Sequence, residues 1–133
     1  MTPIDYPLID VVHFTDGDTL WVRREWHVGE VDGVELIARD YLGGVCVRLT
    51  DGIEKTDRGL NTPERGKPGY KEAGVNLQDW IHGWQPDELI LRAWGKDEFG
   101  RVLGNILPVD PMHPDDGGVV AYMRDVLGWP AYR

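Results

Sequence analysis

The stretch LIDVVHFTDGDTLWVR, residues 8–23, decides how the rest of the chain is read. Its two ends, 8–14 and 19–23, are rich in the β-branched and aromatic residues that suit a pleated surface. Between them Thr15-Asp16-Gly17-Asp18 forms a turn, with glycine supplying backbone freedom and the aspartates bonding locally. Working outward, Val34 to Ala38 and Val45 to Leu49 read as further strands separated by Gly43-Gly44. Val45, Val47 and Leu49 fall on one face of the latter, with Cys46 and Arg48 on the other. The polar stretch Thr50 to Arg58 reads as an excursion loop. From Tyr70 to about Gly83, Ala73, Leu77, Trp80 and Ile81 make the apolar stripe of a three-turn helix. Leu89 to Trp94 and Val102 to Leu107 are strands, and Val119 to Leu127 is a short second helix closed by Gly128. The sum is a mainly β, α+β chain: a small barrel with helices packed on it.

The 133 residues suffice for one domain, 1–133, with a real core. Seventeen Gly and nine Pro favour many turns and short strands over a helical bundle. The lone Cys46 excludes an internal disulfide framework and a multi-cysteine zinc site, and reads as a small core or sheet residue. No basic leader or long apolar run is present, so no membrane span and a cytoplasmic location are expected. Net charge is −9, a sign opposite to that of most phosphate-binding proteins. The imbalance is uneven, and Arg65, Lys67 and Lys71 form a local cationic island.

Three segments carry chemistry. Asp16-Gly17-Asp18-Thr19 offers oxygen donors on a tight turn, as hard cations require, although such a turn is also ordinary structural chemistry. Thr62-Pro63-Glu64 fixes a glutamate beside a rigid bend, where it can serve as general base to a water or simply be a solvated acid. In Asp97-Glu98-Phe99-Gly100-Arg101 the arginine is a charged fork suited to two phosphate oxygens; the same run also suits a plain hairpin turn.

Taken together and in order, DGDTLWV (16–22), VRL (47–49) with GLNTPE (59–64), and DEFGRVLGNI (97–106) resemble the staphylococcal nuclease family over roughly residues 10–128. The resemblance implies a five-stranded OB-fold barrel with two to three packed helices, a fold that commonly presents one face to oligonucleotides. It also implies Ca²⁺-dependent cleavage of DNA or RNA, single strands preferred, to 5′-hydroxyl and 3′-phosphate products. By position, Asp18 is then a metal ligand, Asn61 stands at the second acidic ligand and the Thr62 carbonyl at the third, with Asp16 as a further donor. Glu64 activates water and Arg101 binds the scissile phosphate. Arg65, Lys67, Tyr70, Lys71 and Phe99 are the implied substrate contacts, Phe99 standing where a tyrosine is usual.

The family run Arg-Leu-x-Gly-Ile-Asp-Thr-Pro-Glu is interrupted here by extra residues after Arg48-Leu49. Its second arginine is therefore Arg48 or, nearer in sequence, Arg58. Asn61 brings an oxygen but no charge, so Mg²⁺ or Mn²⁺ can compete with Ca²⁺, and Asp16, Asp51 or Asp57 can compensate. The region from Glu25 to Gly44 exceeds a simple hairpin and reads as a β-arm that gates substrate or joins subunits. Four His lack ligand spacing, and the Trp residues read as core or hinge packing rather than base-stacking platforms. Two other functions fit the same residues: a catalytically silent nucleic-acid-binding module, and an acidic OB-barrel interaction protein.

Overall fold

The computed structural model describes residues 3–7, 11–23, 30–31, 34–35, 44–50, 60–110 and 117–129. In chain order these form β1 (Ile4–Pro7), β2 (Val11–Asp16), β3 (Thr19–Arg23), β4 (Glu30–Val31), β5 (Val34–Glu35), β6 (Gly44–Leu49), α1 (Tyr70–His82), β7 (Leu89–Lys96), β8 (Val102–Pro108) and α2 (Gly118–Ala121). A 3₁₀ turn, Pro86–Glu88, leads into β7, and α2 runs on as a π-helical turn, Tyr122–Val126. The chain is thus α+β with strands dominant.

Six strands make one mixed sheet in the order β1-β7-β8-β6-β3-β2. Every neighbouring pair is antiparallel except β6 and β8, which run parallel from Val47↔Val102 to Leu49↔Gly104. The expected five-stranded closed barrel is not what the described residues build: their sheet has six strands, with β1 and β2 at its opposite edges. The extra strand is β1, which adds to the outer edge of β7 and is clamped there by a two-pronged bond between Arg92 and Asp5, at 2.8 and 3.1 Å. Four residues ending in proline carry too little alternation to be read as a strand from sequence.

Pattern explains the core. In β7 buried and half-buried residues alternate from Leu89 to Gly95, so Leu89, Leu91 and Ala93 face inward. Helix α1 buries Ala73, Leu77, Trp80 and Ile81, the stripe expected from spacing. These join Leu20, Val22, Val45, Val47, Leu49 and Leu60 in one hydrophobic cluster. Strand β8 is buried almost throughout because α2 covers it; the buried Asn105 side chain donates to the Gly117 carbonyl and accepts from the Val120 amide. The second helix then differs from a plain α-helix in its wider final turn, which ends with Trp129 bonded to Asn76 of α1 at 2.9 Å.

Of the expected β-arm, Glu30–Val31 and Val34–Glu35 pair as a short two-stranded sheet. Residues 24–29, 32–33 and 36–43 lie outside the described residues, as does the expected excursion loop after Thr50, with Asp51, Asp57 and Arg58. No described helix is long and apolar enough to cross a membrane.

Candidate functional site

The turn between β2 and β3 is Gly17-Asp18 alone, shorter than expected because Thr15 and Asp16 belong to β2, and it can dock where it does because residue 17 lacks a side chain. A Cβ on Gly17 would lie 2.6 Å from the Ala73 Cβ and 2.8 Å from the Thr62 hydroxyl. Glycine therefore lets the turn press against α1 and the 60–64 segment at once. Helix α1 is held from the other side by the Tyr70 hydroxyl, which donates to the Thr15 carbonyl at 2.9 Å. Three strand ends then converge. Thr19 of β3 stands opposite Arg48 of β6, and Arg48 beside Leu103 of β8. The Leu49 amide donates to the Asp18 carbonyl, and the Leu60 amide to the Leu49 carbonyl, which brings Asn61 and Thr62 alongside.

The result is a cleft of about 410 Å³ lined by residues of all three sequence segments, including Asp18, Arg48, Asn61, Thr62, Glu64 and Arg101. Asp16 and Phe99 also line it; Arg65, Lys67, Tyr70 and Lys71 do not. The three cations are exposed, and the Tyr70 hydroxyl is taken up by its tether.

Asp18 is the hub of the cleft. It is 7% exposed. One carboxylate oxygen accepts from the Thr62 amide at 3.1 Å and pairs with the Arg48 guanidinium at 2.6 Å. The other oxygen accepts from the Thr19 hydroxyl at 3.0 Å. The Asp18 amide in turn donates to Asp16 at 3.1 Å. Burial, a hydrogen bond with Asp18 and the Asp18 charge push Asp16 up to about 7. Burial acts to raise Asp18 as well, but its bond with Asp16, the Arg48 charge and the Thr19 hydroxyl outweigh it and hold Asp18 below the ordinary value.

Across the cleft Arg101 is braced within its own turn. Its Nε donates to Asp97 at 2.7 Å, while the other Asp97 oxygen accepts from the amides of Phe99 and Arg101 at 3.0 and 2.9 Å. Asp97 thus orients the guanidinium, a role that an aspartate opening a hairpin turn does not advertise in sequence. Sequence reasoning likewise missed Glu98, which lines the cleft. The five lining carboxylates outnumber the two guanidiniums.

No group of three or more His, Cys, Asp and Glu among the described residues is arranged to hold a metal. The donors gathered here are of another kind: two carboxylates, the exposed Asn61 amide, and a Thr62 hydroxyl that is buried without a hydrogen-bond partner. An orphaned buried hydroxyl beside two crowded acids fits an oxygen-seeking cation chemically. His13 and His82 are exposed, the latter edge-on to Phe14 at 5.6 Å; neither lines the cleft.

No protein-family model matches the chain, and no curated protein matches it at a significant level. What the fold and the cleft define is an α+β protein with acids and arginines facing one another across the strand ends.

Proposed function

We propose that this protein is a metal-dependent nuclease of the staphylococcal nuclease type, acting on single-stranded DNA or RNA, with its sheet curled as an OB-like barrel. The observation that carries this reading is the meeting of Asp18, Glu64 and Arg101 around one cleft. Asp18 and Asp16, with Asn61 and the Thr62 carbonyl, would hold Ca²⁺; the neutral Asn61 lowers affinity and lets Mg²⁺ or Mn²⁺ compete. When bound, the cation offsets phosphate charge and acidifies water.

The remaining work falls to side chains. Arg101, aimed by Asp97, pairs with the phosphate oxygens on which negative charge grows. Arg48 adds a second guanidinium, shared with Asp18. Glu64 is exposed at the rim and receives the proton from the attacking water. The water oxygen joins phosphorus as the bond from phosphorus to the 5′ oxygen breaks; the departing 5′ oxygen takes up a proton from solvent and Glu64 returns its own to solvent, so the products are a 5′-hydroxyl and a 3′-phosphate.

One observation favours a second reading. Arg48 already gives the Asp18 carboxylate a counter-charge, so this buried acid is paired without a metal, as a metal-free binding module requires. Cleavage of single-stranded DNA and RNA with Ca²⁺, then with EDTA, separates the two. The nuclease reading expects cutting that EDTA stops and that Glu64→Gln or Arg101→Gln lowers by about 10²–10⁴-fold. Binding without products, indifferent to EDTA, leaves only the module.

A further inference from the structure

Beyond Arg101 lies a second recess of about 400 Å³, lined by Trp21, Cys46, Phe99, Gly100 and Arg101. It shares Phe99 and Arg101 with the acid-lined cleft, so one guanidinium and one ring form the wall between them. We infer that this recess seats a nucleobase flanking the phosphate held by Arg101. The inference rests on the nuclease reading for the position of that phosphate, and adds to it the part of the substrate that carries no charge.

The recess is built as an aromatic seat. Trp21 stands directly across from Cys46 on neighbouring strands, and alternation turns both away from the core-facing Leu20, Val22, Val45 and Val47. Trp21 is half-buried and lies outside the core cluster, in contrast to the packing role expected for it. Its indole nitrogen donates to the Thr15 hydroxyl at 3.2 Å, which fixes the edge of the ring. Cys46 forms an uncharged floor, its thiol pushed up to about 11 by burial.

Phe99 is 66% exposed, so much of its ring is open to a stacking partner. The Arg101 guanidinium lies 5.4 Å from its centroid, within cation–π range. Two aromatic side chains beside a phosphate-binding guanidinium suit an occupant that is flat at one end and anionic at the other. In a nucleotide a single sugar separates those ends, as the shared wall of Phe99 and Arg101 separates these recesses. Stacking of this sort tolerates any base, because each has a π-face.

The test uses the full chain with Ca²⁺ and short single-stranded DNA carrying 2-aminopurine, whose fluorescence falls on stacking, or an abasic residue in its place. Each probe is placed on either side of the central phosphate, and affinity is read on Glu64→Gln protein so that strands stay intact. Trp21→Leu, and independently the exposed Phe99→Leu, should weaken binding of the base-bearing strand about tenfold. Both should abolish the quenching, and Trp21→Leu should leave the abasic strand unaffected; Trp21→Phe should retain most of the affinity. Equal affinity for base-bearing and abasic strands in both placements overturns the inference. Cleavage by the unaltered chain is scored separately. Trp21-dependent quenching without any cleavage keeps the seat and removes the nuclease; cleavage indifferent to the base does the reverse. Failure to bind either strand overturns both.

Discussion

Asp16 and Asp18 show how one backbone turn gives two like groups opposite behaviour. Asp18 has Arg48, Thr19 and the Thr62 amide around it and stays ionised, whereas Asp16 keeps a proton until about pH 7. Folding therefore binds a proton at Asp16 more tightly than the ordinary value of 3.8. The stability this adds is complete below that value and is lost as pH climbs towards 7. Asp18, shifted the other way, keeps its contribution through the same window. In EDTA, the urea midpoint should fall between pH 5 and 7.5, and Asp16→Asn should flatten that slope; an unchanged slope in the variant would refute the assignment. The residue scale was well legible where side chains and spacing coincide: Asp18, Asn61, Thr62, Glu64, Phe99 and Arg101 all line the cleft. The network of Asp16, Asp18 and Arg48 was not, because strand register creates it. Nor was the fate of Tyr70, whose hydroxyl is as fit for a tether as for a phosphate.

At the scale of elements, alternation and stripe spacing made β3, β6, β7, β8 and α1 readable to within a residue or two. They failed for β1, which is short and owes its place to its ladder with β7 and to Ile4 and Tyr6 packed on the core, and for the π turn after α2, which is a matter of packing on β8 and α1. Elements also depend on single close approaches. Gly17→Ala places a methyl group against the Ala73 Cβ and the Thr62 hydroxyl, in a site bounded by α1 and the 60–64 segment. We expect about 1–3 kcal/mol of destabilisation from overpacking. Cleavage per folded molecule should fall as well, because relief moves Asp18 away from Thr62. Urea unfolding and activity measured together check this, and loss of stability alone would mean the turn moves as a unit with its helix.

For the molecule as a whole, charge sets the terms. A chain of net charge −9, with five acids and two arginines around its cleft, repels a polyanion unless a cation intervenes. Saturating Ca²⁺ should therefore raise the thermal midpoint, by about 2.7 kcal/mol of added stability at a hundred times Kd, and EDTA should reverse it. Asp18→Asn should abolish the shift; calorimetry showing none in the unaltered protein would leave Arg48 as the cleft's standing counter-ion. The parallel ladder between β6 and β8 has a further consequence for how such a cleft comes into being. It ties Leu49 to Gly104 while β8 also fills the gap beside β7. A growing chain that has reached the end of α1 can already close the β2–β3 hairpin, yet it lacks the strand that draws Arg101 towards Arg48. Long-range pairings of this kind come late in folding, since the intervening loop must lose its freedom before any contact rewards it. Binding and chemistry should thus switch on together, once the eighth strand slots home, rather than accumulate piece by piece during synthesis.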